Sequence, residues 1–132
     1  MRAATAFLIF LAGQAVAEEA GAPIRLDAEA FRALTEGRVA HFSAFGELYG
    51  SEGYLDNDQS VWRDAQGDCR DGFWWEEGES LCFQYESVSC WKVFRESDGS
   101  FFAISDADGL RVNFEAFQDG PLECSAPFVE LR

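Results

Sequence analysis

"DGFWWEEGESLCFQYESVSCW", residues 71–91, decides how this chain folds. Its apolar residues come in short runs broken by EEGE (76–79) and ESVS (86–89), which have the chemistry of turns. A strand shows alternate residues to opposite faces, so Phe73-Trp74-Trp75 puts aromatic rings on both. A two-residue turn at Glu77-Gly78 sets Trp74 opposite Leu81. Phe83, and across the next hairpin Trp91 and Val93, then share that face and make a core. Phe73, Trp75, Cys82 and Cys90 fall on the other side, where Cys82 and Cys90 face each other closely enough for a disulfide. A slip of one residue would exchange the two faces.

The same pattern extends outward. Strands are expected over 38–42, 48–55, 60–64, 72–76, 80–85, 90–96, 100–105 and 110–117, parted by DND, AQGDCRDG, EEGE, ESVS, SDGS and DADG. Asp98-Gly99 fits a tight primed hairpin turn. Turns about every ten residues indicate an up-and-down meander, and a sheet of some eight strands tends to curl or close because open edges aggregate. The expected fold is therefore mainly β: a small antiparallel up-and-down barrel or curled meander of about eight strands, with one N-terminal helix.

That helix is written in RLDAEAFRALTEG, residues 25–37. Asp27 can cap it, Leu26 can pack against Phe31 across the first turn, and Gly37 ends it. Its stripe of Ala30, Phe31 and Leu34 needs a surface to cover. The outer aromatic face of the 71–91 hairpin offers one, and this is the preferred expectation because exposed apolar patches are rare. The alternative is a binding patch of Phe73 and Trp75 rimmed by Glu76, Glu77 and Glu79.

The chain opens with Arg2, an apolar run from Ala3 to Ala12, and small residues Ala15-Val16-Ala17 before Glu18. This is the layout of a signal peptide cleaved after Ala17, and the run is short for a membrane span. The organisation read from the sequence is a signal peptide (1–17), a flexible leader (18–24) and one β-rich, disulfide-stapled domain (25–132), exported to the periplasm with no membrane insertion after cleavage. The four cysteines all follow the leader. An even count in an oxidising compartment reads as two disulfides, Cys82–Cys90 from the register and Cys69–Cys124 by elimination.

The formal net charge is −14 at pH 7, and removal of residues 1–17 would take away one arginine and no acid. Such a charge repels phosphate backbones, so nucleic acid is an improbable partner. A cationic protein or a small apolar ligand is compatible with it. Catalytic constellations are thin. His41 is the only histidine, in a strand and without a nucleophile turn. Carboxylates abound, but glycoside hydrolysis needs two across a cleft in unequal environments, and nothing singles out a pair. LDNDQSV (55–61) and SDADGL (105–110) hold fragments of calcium-loop chemistry without the closing Glu, and turns explain them. No metal or cofactor is expected.

LYGSEGYL, VWRDAQGDCRDGFWW, GESLCFQYES and CWKVF together resemble a family of short exported alphaproteobacterial proteins with the outline YG–E–Y, G–C–x–x–G–x–W, C–F–x–Y and C–W. The matching positions are Tyr49-Gly50, Glu52, Tyr54, Gly67, Cys69, Gly72, Trp74, Cys82-Phe83, Tyr85 and Cys90-Trp91, with Cys124 as the last cysteine. The likeness spans most of residues 30–125, and the stretch SFFAISDADGLRVNFEAFQDG departs from it. It implies a fold and a compartment rather than a reaction. The functional expectation is a non-enzymatic periplasmic binding or interaction module. The alternatives are an inhibitor or partner of a cationic periplasmic enzyme such as a lysozyme and, less favoured, a carboxylate-pair hydrolase.

Overall fold

In the computed structural model, the described residues are 2–6, 9, 13 and 21–125. Most of the expected signal peptide, residues 18–20 of the leader and the last seven residues therefore lie outside them. Nine strands and one helix follow in chain order: β1 (Ile24–Arg25), α1 (Ala28–Thr35), β2 (Arg38–Ala44), β3 (Glu47–Tyr54), β4 (Gln59–Asp64), β5 (Cys69–Glu77), β6 (Ser80–Gln84), β7 (Val88–Arg95), β8 (Phe101–Ser105) and β9 (Arg111–Asp119). Strands β2 to β9 each pair antiparallel with their sequence neighbours, and β9 returns to β2, closing an eight-stranded up-and-down barrel. Closure leaves no long edge for another chain to extend.

β1 is the element that sequence reading missed. Ile24 and Arg25 pair with Arg95 and Phe94 of β7, beyond the stretch of β7 that β6 covers. The strand thus takes Ile24 from the expected leader. Two residues carry too little alternation to read as a strand.

The decisive hairpin keeps its expected faces with a shifted register. Gly78, at φ +60°, and Glu79 form the turn, so Glu77 pairs with Ser80 and Trp74 with Phe83 rather than with Leu81. A type II′ turn takes glycine at its first central position, which moves the turn one residue forward. Pairing slips by two, so every side chain stays on its expected face. Trp74, Leu81, Phe83 and Val93 are buried inside, and Cys82 pairs directly with Cys90 outside. At 96–100 the expected two-residue turn gives way to three residues, with Gly99 alone at positive φ (+88°). This is a type I turn followed by a glycine bulge.

Both disulfides match the expectation: Cys82–Cys90 bridges adjacent strands, and Cys69–Cys124 ties β5 to the segment after β9. Such bridges persist in oxidising surroundings, so the domain belongs to an extracellular or periplasmic setting. Among the described residues, no helix is long and apolar enough to cross a membrane.

α1 begins where Asp27 accepts a hydrogen bond from the Ala30 amide (2.8 Å) and stops before Gly37, at φ +77°. Its position corrects the preferred expectation: it does not cover Phe73 and Trp75 but seals one end of the barrel. Phe31 is 1 % exposed and meets Tyr54, Trp74 and Phe83 edge-on at 5.4, 5.2 and 6.1 Å. Arg32 holds the helix down through two hydrogen bonds to Asp58 (2.7 and 2.9 Å) in the β3–β4 turn. A barrel end lined with rings is a deeper refuge for Phe31 than a half-exposed outer sheet face.

Candidate ligand cavity

Eight strands enclose an interior that side chains can nearly fill, or that can hold one small molecule. Here a cavity of about 150 Å³ remains. Its floor is Phe31 with Tyr54 and Phe83, at the end closed by α1. Its mouth lies at the opposite end, among Tyr49, Trp62, Ser89, Trp91 and Phe114, none of which is fully buried. Tyr49 packs on Trp62 and Trp91 at 5.6 and 6.3 Å, and Phe42 on Phe114 at 4.6 Å, so rings form a second tier above the floor.

Between the tiers stands Glu52, which β3 turns inward from between Gly50 and Tyr54. It is 6 % exposed. The Tyr85 hydroxyl donates to its Oε2 at 2.5 Å, and the Ser60 hydroxyl, 2.8 Å from Tyr85, supplies a proton to that phenol oxygen in return. Tyr54 turns its hydroxyl toward the same carboxylate without completing a properly directed hydrogen bond, and that buried oxygen has no partner. Burial raises the Glu52 carboxyl to about 7, and the two tyrosine hydroxyls only partly offset this. Burial and the neighbouring carboxylate together push Tyr85 upward as well.

Two glycines make room for this arrangement. A Cβ on Gly72 would lie 2.1 Å from the Gln84 carbonyl oxygen and 2.6 Å from the Tyr85 ring. A Cβ on Gly50 would lie 2.4 Å from the Trp62 ring. The missing side chains let both rings lie flat against the wall, which aims the Tyr85 hydroxyl at Glu52.

The structure separates the residues of the expected surface patch. Phe73 and Trp75 lie outside the barrel with ring centres 5.5 Å apart, Phe73 being 51 % exposed. Glu77 joins them by accepting from the Trp75 indole at 3.3 Å. Glu76 instead caps the first turn of α1 through the Ala28 amide, and the Glu79 carbonyl accepts from Arg25 at 3.2 Å. Glu77, Cys82 and Cys90 form a compact group, but both sulfurs are committed to the disulfide.

His41 is also outside the barrel, bridging Ser51 and Gln118 at 2.7 Å each. Three acids of the two calcium-like stretches are engaged within the chain: Asp58 with Arg32, Asp106 with Ser80 and Lys92, and Asp108 with the Leu110 amide.

Sequence reasoning did not single out Glu52, Tyr54, Tyr85 and Ser60 as a site. The signal was present in the outline already quoted: Tyr49, Glu52, Tyr54, Phe83, Tyr85 and Trp91 all line this cavity. Only closure of the barrel brings them together. Comparison of the chain with protein-family models, curated proteins and solved structures found no match.

Proposed function

We propose that this protein is a non-enzymatic binding module of the periplasm, which takes a small ligand into the open end of its barrel. The observation that carries the proposal is an aromatic-lined cavity holding a buried carboxylate and an orphan tyrosine hydroxyl. Mostly apolar walls with a few convergent polar groups are the usual composition of a ligand site. A cavity of about 150 Å³ accommodates one six-membered ring. Glu52 is the one carboxylate among the described lining residues, whereas glycoside hydrolysis uses two. The exported character read from residues 1–17 and the resemblance to a short exported family point to the periplasm.

Trp62 and Trp91 at the mouth report occupancy. Titration with toluene should change tryptophan emission saturably and raise the melting temperature. A flat response in both would overturn the proposal.

A second reading, a partner of a cationic enzyme such as a lysozyme, is favoured by the exposed Phe73–Trp75 pair beside Glu77 on a strongly acidic protein. Capture of lysozyme at physiological salt, lost in Trp75→Ala, would support it. Equal capture by the variant would count against that surface.

A further inference from the structure

The geometry points to a small organic cation, a primary or secondary ammonium on a single apolar ring, as the ligand class, with its charged head between Glu52 and Tyr54 and its ring among the rim aromatics. This rests on the cavity reading proposed above and narrows it.

Three independent features lead there. First, Glu52 is a buried acid with no lysine, arginine or histidine among the described residues that line its cavity. A buried carboxylate normally has a cationic partner or gives up its charge. The hydrogen bond it accepts from the neutral Tyr85 hydroxyl cannot balance a full negative charge. Second, the Tyr54 hydroxyl is buried beside Glu52 on the same cavity and makes no fully directed hydrogen bond. One ammonium carries enough N–H groups to reach both the Glu52 carboxylate and the Tyr54 oxygen. A quaternary ammonium has none, and an anion would meet like charge. Third, Phe31, Phe42, Trp62, Phe83 and Trp91 present rings around the same space. Aromatic faces carry negative electrostatic potential and hold organic cations where water is excluded.

The approach is favourable as well. The loops at the open end carry exposed Asp68 and Asp108 on a chain of net charge −14, a field that concentrates cations at the mouth. Benzoate would be repelled there, and a neutral ring would be indifferent.

Calorimetric titration of the folded, disulfide-intact protein with benzylamine, toluene and benzoate near pH 8 tests the inference. Benzylamine should bind at least about tenfold more tightly than toluene, and benzoate should not bind. Glu52→Gln should remove the amine preference, read as the ratio of benzylamine to toluene affinity, and Tyr54→Phe should weaken benzylamine several-fold. Benzylamine affinity should fall on acidification through pH 7 as Glu52 takes up its proton. Tyr49, Tyr54 and Tyr85, the other titratable groups on the lining, are all raised and stay neutral throughout.

Toluene binding without an amine preference would overturn the cation assignment and leave the cavity reading intact. Binding of neither would overturn both. Should Glu52→Gln fail to fold, Tyr54→Phe and the benzoate arm still decide: an unchanged amine affinity in Tyr54→Phe together with benzoate binding would refute the assignment.

Discussion

Glu52 is an acid placed where solvation cannot support its charge, and that has a measurable cost. Its folded-state value near 7 stands above the ordinary 4.5, so the native state holds a proton that the unfolded chain has released across that interval. Stability from this residue is therefore complete below about pH 4.5, declines as pH rises, and is lost above 7, a change of about 3 kcal/mol. Glu52→Gln should raise the melting temperature at pH 8, with a gain of about 2 kcal/mol that disappears toward pH 4.5. Thermal melts of both proteins across that range check the sign. At the next pair of positions, Trp74 is 3 % exposed inside the barrel and Trp75 is half-buried outside. Trp74→Ala should cost about 3–5 kcal/mol in urea unfolding, whereas Trp75→Ala should cost under about 1 kcal/mol. Phe45, 92 % exposed at φ +54° in the β2–β3 turn, sits in a conformation that suits asparagine. Phe45→Asn should stabilise the hairpin by about 1 kcal/mol, read as a shift of the urea midpoint at constant slope.

Among the elements, α1 makes the clearest argument, because one residue decides its role. Phe31 inserted among Tyr54, Trp74 and Phe83 converts an open-ended barrel into one with a floor. Phe31→Ala should cost about 3–5 kcal/mol and enlarge the cavity. A larger ring such as naphthalene should then bind the variant more tightly than it binds the parent, a difference readable by tryptophan emission. The helix limits also show what a sequence discloses. Asp27 and Gly37 are local signals and were legible. Where the helix docks depends on the shape of an assembled surface, and no local signal carries that. The strands behaved alike: alternation and turn chemistry marked all eight barrel strands, including the inward Trp74 and the outward Cys82–Cys90 pair. Turn type was less legible, because Glu77-Gly78 and Gly78-Glu79 both suit a two-residue turn and differ only in which central position takes the glycine. The site was the least legible part. Glu52 and Ser60 come from β3 and β4 and Tyr85 from the residue after β6, and only barrel closure turns three separate segments toward one point.

At the scale of the whole molecule, a small core is held by covalent ties. Cys69–Cys124 closes a segment with a sequence separation of 55, and Cys82–Cys90 one of 8. On chain-entropy grounds the longer closure contributes roughly 4 kcal/mol and the shorter roughly 2.5 kcal/mol. The Cys69→Ala, Cys124→Ala double variant should therefore lose about 4 kcal/mol in denaturant unfolding. The tie also holds the segment after β9 against the wall of the cavity strands, where the Leu122 side chain lies 2.8 Å from the position a Gly53 Cβ would take. Finally, a vessel plugged at its base cannot serve as a conduit. A ligand taken up as proposed past Tyr49, Trp62 and Trp91 would have to back out the same way, and a bulky substitution at any of them should slow arrival and departure together.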